Sequence, residues 1–544
     1  MAAARVAIAQ INAYVGDIKG NAARVLQAAR AAHAEGADVL VTPELVLTGY
    51  PPEDLLLRPH FVESQEAALN QLRQDTAGLA GLHVLVGHVL ARGGRLYNAA
   101  TVLCEGRELG VYCKRELPNY SVFDEQRYFA AADQPLVFEV KGVRFGVNIC
   151  EDIWFGHAPR AAAQAGAQVL LVPNASPYNT GKQDERLSVA RRCAQDTGCA
   201  VIYANMVGGQ DELVFDGASF ALDAQGQPAA RLPDYAEGVN VVEADAAGAI
   251  RPVSRHADVA PYCLEEQVWN ALVLAVRDYL GKNGFPGAII GLSGGIDSAV
   301  VLAVAVDALG ADNVTAVRMP SRYTADLSND LAQEQCDALG VRLLALPIEK
   351  PFQGFLDALG EAFAGTTPDT TEENLQSRTR GALMMALSNK FGGLLLTTGN
   401  KSEYAVGYAT IYGDMCGGYA PIKDLYKTEV FAVAKWRNAI AGAPVIPPAV
   451  IARPPSAELR ENQLDQDSLP PYDVLDAILL RHIDQDQARD EIVRAGFDSA
   501  TVDRVLRLVR TSEWKRHQSA PGPKVSRRAF GRERRYPISN GYGG

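Results

Sequence analysis

An apolar strand, a glycine-rich turn and a helix follow one another directly at residues 288–308. Residues 288–290 end an apolar run of strand type, residues 292–298 form the turn, and residues 299–308 have the composition of a helix. Such a unit aims unpaired backbone N–H groups and the positive end of a helix dipole at one point, which suits a phosphate. It predicts a parallel sheet with flanking helices that binds its ligand beyond the carboxyl ends of the strands.

The residue types in this turn fit a phosphate site better than a purely structural turn. Gly294 and Gly295 allow the backbone to approach an anion without an intervening Cβ. Ser293 and Ser298 add hydroxyl donors, and Asp297 offers a carboxylate to a metal that bridges phosphates. The turn lacks the lysine of the Gly-Lys-Ser/Thr nucleotide loop, and its glycines do not have the spacing of the dinucleotide fingerprint.

The full string SGGIDS at residues 293–298 resembles the pyrophosphate-binding loop of the N-type ATP pyrophosphatases, which cleave ATP between the α- and β-phosphates to adenylate a substrate. This resemblance implies a Rossmann-like parallel-sheet domain that binds ATP. The residues it assigns to ATP in the loop are Gly291, Leu292, Ser293, Gly294, Gly295, Ile296, Asp297 and Ser298.

Length and charge limit the remaining possibilities. A chain of 544 residues exceeds what one hydrophobic core normally organises, so two or more domains are expected. The 52 basic and 64 acidic residues give a net charge of −12, which argues against nucleic acid or an anionic membrane as a partner. No apolar run is long enough to span a bilayer.

The cysteines and the N-terminus indicate the compartment. The eight cysteines form no CxxC pair, which argues against a disulfide framework or a zinc site. The first residues enter a strand without the pattern of a signal peptide. We therefore expect a cytoplasmic protein.

Strand-like and helical segments alternate through the first 245 residues and again after residue 263. We predict an α/β domain at residues 1–245, a linker at 246–263, and a second α/β domain at 264–544. The linker is placed there because Gly248, Pro252 and Pro261 interrupt both kinds of pattern.

Three strings in the first half contain chemically useful side chains. Cys150 and Glu44 each follow a buried strand, and Lys114 lies in the string YCKRELPNY at 112–120. Alone, a cysteine after an apolar strand is more often a packing residue, and a single glutamate or lysine is usually solvated. Together they offer a nucleophile, a base and a cation for attack on an amide carbonyl.

These strings, in this order, resemble the carbon–nitrogen hydrolase (nitrilase) superfamily, and most closely its glutaminase members. The resemblance covers residues 5–245 and implies a four-layer α-β-β-α sandwich. It makes Cys150 the nucleophile, Glu44 the general base and Lys114 the cation at the oxyanion. A nearby cation or base would be expected to lower the pKa of the thiol.

The same resemblance implies the residues that contact glutamine. It assigns Tyr120, Ser176 and Lys182 to glutamine, with Lys182 facing an α-carboxylate. It also suggests Glu125 as a supporting acid. For each of these residues, local hydrogen bonding within a loop is the alternative.

Four strings in the second half resemble the NAD synthetases: residues 374–380, 398–403, 419–427 and 454–459. A nitrilase-type glutaminase ahead of such a domain is the arrangement of the glutamine-dependent members of that family. The resemblance implies that Thr398 contacts ATP and that Asn374, Glu403 and Lys515 contact deamido-NAD. It also implies Mg²⁺ as a cofactor, with Asp297 and Glu403 as its candidate ligands.

Three further segments of the second half have distinctive compositions. The run 515–535 is basic within an acidic protein, and we expect an ordered arm that packs on the domain and neutralises pyrophosphate; a nucleic-acid patch and a solvated tail are the alternatives. Residues 365–373 and 456–470 are predicted to be loops that close over substrate.

The predicted enzyme is an ATP-dependent ligase whose small-molecule substrates are glutamine, ATP and deamido-NAD. Ammonia released at Cys150 would displace AMP from adenylated deamido-NAD to give NAD. The resemblance also implies a homo-oligomer. The alternatives are another ATP-dependent amidotransferase, an amide or nitrile hydrolase whose C-terminal half senses nucleotide, and a catalytically silent nucleotide-binding scaffold.

Overall fold

The structure, a computed structural model, describes residues 3–254, 262–460 and 463–542. The chain divides into two compact units, Met1–Pro261 and Tyr262–Gly544. Each unit has its own sheets and its own hydrophobic clusters.

The first unit is built from fifteen strands and four α-helices within its described residues. The strands are β1 (Ala3–Gln10), β2 (Val39–Val41), β3 (His83–Arg92), β4 (Arg95–Cys104), β5 (Arg107–Cys113), β6 (Val137–Val140), β7 (Val143–Val147), β8 (Val169–Asn174), β9 (Ala200–Asn205), β10 (Val207–Gln210), β11 (Leu213–Asp216), β12 (Phe220–Leu222), β13 (Pro228–Arg231), β14 (Gly238–Asp245) and β15 (Ile250–Pro252). The helices are α1 (Ile18–Ala34), α2 (Pro59–Asp75), α3 (His157–Gln164) and α4 (Lys182–Thr197).

Two sheets form the centre of this unit. One has the order β15-β14-β1-β2-β3-β4-β5, and the other has the order β13-β12-β9-β8-β7-β6. Their inner faces share one apolar cluster that includes Val6, Leu85, Phe145 and Ile202, so the sheets pack face to face. Helices α1 and α2 cover the outer face of the first sheet, and α3 and α4 cover that of the second. The predicted α-β-β-α sandwich is confirmed.

Helix α1 shows how the sequence builds these outer layers. Asp17 caps the helix by accepting a hydrogen bond from the backbone N–H of Gly20. Buried positions such as Ile18, Val25 and Ala29 recur every three to seven residues, which places them on one face of the helix. That face packs on the sheet, while the opposite face stays polar.

The predicted linker region contains a short strand. Gly248, at φ +79°, donates its N–H to the Asp245 carbonyl and turns the chain back, so that β15 pairs antiparallel with β14. The glycine and proline that suggested a linker therefore also belong to a hairpin at the sheet edge. Residues 255–261 of the predicted linker lie outside the described residues.

The second unit combines a small sheet with many helices. Its strands are β16 (Ala288–Gly291), β17 (Val314–Arg318), β18 (Arg342–Ala345) and β19 (Leu394–Leu396). Its helices are α5 (Leu264–Asn283), α6 (Ile296–Leu309), α7 (Asp326–Leu339), α8 (Glu349–Leu359), α9 (Thr370–Phe391), α10 (Lys401–Val406), α11 (Lys427–Ile440), α12 (Pro448–Ala452), α13 (Tyr472–Leu479), α14 (Arg489–Arg494), α15 (Ser499–Thr511) and α16 (Glu513–Arg516).

The four strands of the second unit are all parallel, in the order β18-β17-β16-β19. Because β16 and β19 are neighbours, the loops that follow them leave the same edge of the sheet. The glycine turn after β16 and the string 398–403 after β19 are thereby brought together. Across the described residues, no helix is both long and apolar enough to cross a membrane.

Candidate active sites

The first candidate site lies at the ends of three strands of the first unit. Glu44 follows β2, Lys114 follows β5 directly, and Cys150 follows β7. The exposed fractions of these residues are 1%, 0% and 4%, so all three are enclosed by protein. The sequence placed Glu44 and Cys150 at strand ends, and the structure shows that Lys114 also follows a strand and joins them.

Lys114 connects two carboxylates at this site. Its Nζ donates to Glu44 Oε1 at 2.6 Å and to Glu125 Oε1 at 2.9 Å. Glu44 also accepts from Asn98 Nδ2 at 2.7 Å and from the backbone N–H of Ala175 at 3.0 Å. The base and the cation are thus held in one orientation before any substrate binds.

The charges of this group determine its protonation. Burial alone would lower the pKa of Lys114, but the carboxylates of Glu125 and Glu44 outweigh burial and hold it well above its ordinary value. Burial raises the pKa of Glu125 to about 7, against the opposing effect of Lys114. Lys114 therefore remains an ammonium, and Glu125 titrates near neutral pH.

The expected lowering of the Cys150 pKa is wrong. Burial and then the Glu44 carboxylate raise the pKa of the thiol well above its ordinary value, and Lys114 only partly opposes them. Cys150 therefore rests as a neutral thiol, and a base must remove its proton as it attacks.

The backbone at the nucleophile adopts a left-handed conformation. Cys150 has φ +45°, which is unfavourable for a residue with a side chain. Asp152 supports this turn: its Oδ2 accepts from the N–H of Ile149 at 2.8 Å, and its Oδ1 accepts from the N–H groups of Arg115 and Glu116 at 3.0 and 2.9 Å. One buried carboxylate thereby joins the cysteine turn to the segment that contains the lysine.

Two of the residues predicted to contact glutamine, Tyr120 and Lys182, interact electrostatically with Cys150, and each also has a polar partner of its own. Tyr120 donates its hydroxyl hydrogen to Glu151 Oε1 at 2.8 Å. Lys182 Nζ lies 4.2 Å from the centre of the Trp154 ring and 3.2 Å from Glu185 Oε2. Burial lowers the pKa of Lys182, as expected for an ammonium partly withdrawn from water.

Ser176 is more enclosed than a simple contact residue. Its hydroxyl accepts from Arg186 Nε at 3.1 Å, and its carbonyl accepts from Arg186 Nη2 at 2.7 Å. Arg186 is itself buried and donates to Asp216 Oδ2 at 2.8 Å. Arg186 was not predicted from the sequence, because nothing in its local sequence distinguishes it from the other arginines of α4.

The second candidate site is a cavity of about 300 Å³ in the second unit. Of the residues predicted for ATP, deamido-NAD and metal, those that line it are Gly291, Leu292, Ser293, Gly295, Ile296, Asp297, Ser298, Thr398 and Glu403. The loop after β16 and the loop after β19 therefore face one space.

The glycine turn is held in shape by its own serines. Ser298 Oγ donates to the Gly295 carbonyl at 3.0 Å, and Ser293 Oγ accepts from the Gly295 N–H at 3.2 Å. The hydroxyls predicted to bind phosphate thus have partners within the turn. Because no side chain caps α6, the backbone N–H groups of its first turn are available to an anion.

Gly294 is required for packing rather than for ligand access. It has φ +77°, and a Cβ there would lie 2.3 Å from the Ser328 carbonyl oxygen. It does not line the cavity. The turn and the start of α7 are therefore in direct backbone contact.

Two carboxylates converge on one ammonium at the edge of this cavity. Lys427 Nζ donates to Asp297 Oδ2 at 2.5 Å and to Glu403 Oε1 at 3.0 Å. Asn400 Nδ2 donates to Asp297 Oδ1 at 2.9 Å. Burial raises the pKa of Glu403 to about 8, although Lys427 opposes this shift.

The donor set at this point fits a magnesium ion. Since one ammonium reaches both carboxylates, one metal ion could contact both, and carboxylate oxygens are ligands that Mg²⁺ prefers. Among the described residues, no group of three or more His, Cys, Asp or Glu side chains is arranged around a common ion. Two protein carboxylates with phosphate and water oxygens would complete the usual set.

Comparison with known proteins bears on both sites. The model of the carbon-nitrogen hydrolase family matches residues 5–251, and the model of the NAD synthase family matches residues 268–519. The chain is 59% identical to the glutamine-dependent NAD(+) synthetase of Xanthomonas campestris pv. campestris, over 99% of this chain and 98% of that protein. It is 45% identical to the enzyme of the same name from Thermotoga maritima, over 98% of both.

The chain belongs to the glutamine-dependent NAD(+) synthetases.

A solved structure agrees with this assignment. This chain is 43% identical to the glutamine-dependent NAD+ synthetase of Acinetobacter baumannii, solved in complex with ADP. The match covers 98% of both chains and has a TM-score of 0.80. The predicted family and fold class are confirmed. The predicted type of enzyme, an ATP-dependent ligase of this family with a glutaminase-type domain, is confirmed as well.

Two residues predicted to bind deamido-NAD do not line the cavity of this synthetase. Asn374 Oδ1 accepts from Thr410 Oγ1 at 2.9 Å, and Thr410 is the residue at the cavity wall. Lys515 Nζ donates to the carbonyls of Gly407 and Ala409 at 2.8 and 2.9 Å. Lys515 thus binds carbonyl groups beyond the C-terminal end of α10, where a cation is favoured.

The basic arm packs on the second unit through structural contacts. The Pro521 carbonyl accepts from the N–H of Ala420, and Asp424 Oδ2 accepts from the N–H of Val525, both at 2.8 Å. Some of its cations pair within the arm, as in the contact of Lys524 Nζ with Glu533 Oε1 at 3.3 Å, and others pair with residues outside it, as Arg534 does with Glu513. None of the described arm residues lines the cavity, so its predicted role in neutralising pyrophosphate gains no support.

Several cavity residues of this synthetase were not assigned roles from the sequence. Arg453 donates to Ser328 Oγ and to Glu458 Oε1, each at 2.8 Å, and these two partners also line the cavity. Burial lowers the pKa of Arg380 to about 10. Lys427 ends the string 419–427 that carried the family resemblance, so that string was the available signal.

Asp152→Asn is expected to slow glutamine hydrolysis about a hundredfold, the usual cost of a misplacement of about 1 Å at reacting groups. The amide is the same size, but its NH₂ group would face backbone N–H donors that now meet a carboxylate oxygen. The measurements are glutamate formation and the rate at which iodoacetamide alkylates Cys150. Asp133→Asn, at an exposed position, is the matched control. Wild-type rates in both assays would show that the hydrogen bonds of Asp152 do not position the thiol.

Proposed function

We propose that the first unit hydrolyses glutamine at Cys150 and that the second unit uses the ammonia, with ATP, to convert deamido-NAD to NAD. The observation that carries this proposal is that one chain holds a buried cysteine–glutamate–lysine group and also a cavity lined by a phosphate-type loop. The family to which the chain belongs supports the pairing of these two chemistries.

In the first half-reaction, Glu44 takes the thiol proton while Cys150 Sγ attacks the γ-amide carbon of glutamine. The Lys114 ammonium donates to the carbonyl oxygen as it becomes negative, which lowers the energy of the tetrahedral intermediate. Glu44 then returns the proton to the leaving nitrogen, which departs as ammonia. Water, activated by Glu44, hydrolyses the thioester to glutamate and restores the thiol. The raised pKa of Cys150 makes such a base necessary.

Glutamine selection is proposed to depend on opposite charges near the nucleophile. Glu151, directly after Cys150, is buried, and its carboxylate accepts from Tyr120. Lys182 and Glu151 each interact electrostatically with Cys150. A carboxylate for an α-amino group and an ammonium for an α-carboxylate distinguish an amino acid amide from a plain aliphatic amide.

In the second half-reaction, the N–H groups at the start of α6 hold the phosphates of ATP. The nicotinate carboxylate of deamido-NAD attacks the α-phosphorus, pyrophosphate leaves, and ammonia then displaces AMP to give the amide of NAD. Mg²⁺ held by Asp297 and Glu403 would neutralise negative charge on the phosphates. Asn374 and Lys515 are proposed to act on deamido-NAD through Thr410 and through the segment after α10. A homo-oligomer is proposed on the family resemblance, and a cytoplasmic location on the cysteine pattern of the sequence.

The test is one assay that counts NAD, AMP, pyrophosphate and glutamate with glutamine, ATP, deamido-NAD and Mg²⁺ supplied. We expect NAD, AMP and pyrophosphate in equal amounts, and at least as much glutamate. Glutamate without pyrophosphate would indicate an amidase with a nucleotide-sensing half. Absence of NAD, with AMP formed only from another carboxylate, would indicate a different amidotransferase.

A further inference from the structure

Lys427 is placed where it competes for the oxygens of the carboxylate pair. It is the first residue of α11 and is 2% exposed. Its Nζ contacts the same two side chains, Asp297 and Glu403, that the proposed function assigns to the metal. An ammonium at 2.5 and 3.0 Å from these oxygens occupies the position that a bridging cation would need.

The surroundings explain why an ammonium is present there. Asp465 is a third carboxylate whose charge acts on Glu403 and on Lys427. It is stabilised by hydroxyl donors, since Tyr472 OH lies 2.9 Å from Oδ2 and Tyr408 OH lies 3.3 Å from Oδ1. The charges of these three partly or fully buried carboxylates repel one another, and one lysine offsets part of that repulsion.

We propose that Lys427 is a built-in counter-ion that keeps the carboxylate pair assembled but closed to a divalent metal ion until the triphosphate of ATP draws the ammonium away. This inference depends on the proposed function, because it assumes that a nucleotide phosphate enters the cavity. Lys427 lines that cavity together with the phosphate loop, and its flexible stem allows Nζ to move to phosphate oxygens. A divalent metal alone therefore binds weakly, and metal and nucleotide bind together.

The test is a titration of the protein with Mn²⁺ in the absence of nucleotide. The electron paramagnetic resonance signal of the free ion reports how much Mn²⁺ is bound. Lys427→Met is expected to bind Mn²⁺ at least about tenfold more tightly than the wild type, because a competing unit charge is removed. Lys427→Gln should show the same gain with a polar side chain. The double variant Asp297→Asn with Lys427→Met should lose the gain. Lys435→Met, at an exposed position of the same helix, is the matched control and should bind like the wild type.

A second measurement keeps the inference testable if removing Lys427 destabilises the protein. Without the ammonium the carboxylates repel, so Mg²⁺ should raise the melting temperature of Lys427→Met and leave that of the wild type nearly unchanged. Equal or weaker Mn²⁺ binding by both Lys427 variants, with no rise in melting temperature, would overturn the inference. The wild-type assay for NAD formation judges the proposed function separately, because it does not depend on the metal affinity of any variant.

Discussion

Cys150→Ala is expected to abolish NAD formation from glutamine and to leave NAD formation from ammonium salts within about twofold of the wild type. Loss of the nucleophile removes the covalent step, for which rate losses on the order of 10⁴ or more are usual. The second unit has its own sheet, its own phosphate loop and its own cavity, none of which contains Cys150. The measurement is the rate of NAD formation with each nitrogen source at saturating ATP and deamido-NAD.

The control for this variant is a cysteine that is buried but has no proposed role. Cys193 packs in the apolar cluster beneath α4, so Cys193→Ala removes a thiol of similar burial from the same unit. It should keep both activities. If Cys150→Ala remained folded yet lost both nitrogen sources, the assignment of ammonia release to the first unit and ammonia use to the second would be wrong.

The catalytic group of the first unit was predictable because its members lie at the ends of strands. Glu44 and Cys150 each follow an apolar segment of strand type, and strand ends present side chains at a rim; Lys114 was found through its string at 112–120, and the structure places it directly after β5. What the sequence could not supply was the environment of the thiol. The pKa of Cys150 depends on burial contributed by many distant segments, so a local rule about nearby cations led to the wrong direction.

In the second unit, the sequence predicted which loops meet but not which side chains pair. The family strings located the loops at the cavity, yet the partner of each side chain depends on tertiary packing. Lys427 meets Asp297 across 130 positions of sequence. The family resemblance assigned Lys515 to deamido-NAD, and in the structure its ammonium donates to the Gly407 and Ala409 carbonyls beyond the end of α10. Periodicity and motif spacing describe neighbouring residues only, so they do not predict contacts between residues that are far apart in the sequence.

The linker prediction illustrates a third difficulty, which concerns glycine and proline. Both residues interrupt helices and strands, and both also occur in hairpins and in edge strands. At residues 248–252 they belong to the hairpin between β14 and β15. A composition rule cannot separate these cases, because the deciding contact is pairing with an edge strand of the sheet.

Asp297→Ala is expected to lower NAD formation by a factor on the order of 10²–10³ with either nitrogen source, the size of effect seen when one stabilising group at a developing charge is removed. The variant deletes one of the two carboxylates proposed to hold Mg²⁺ and leaves Lys427 paired with Glu403 alone. Glutamate formation should persist, because the cysteine–glutamate–lysine group lies wholly in the first unit. The measurement is NAD, pyrophosphate and glutamate from the same reaction.

Asp297→Asn separates the loss of charge from the loss of shape. The amide keeps an oxygen that can accept from Asn400 or Lys427, so the turn should stay intact while the affinity for a divalent cation falls. If the negative charge of Asp297 is what matters, Asn and Ala will lower NAD formation by similar factors, and raising the Mg²⁺ concentration will partly restore the Asn variant only. If a folded Asp297→Ala variant formed NAD at the wild-type rate, the proposed role of Asp297 at the phosphate site would be wrong. The contact with Lys427 would then have to be explained as packing between α6 and α11.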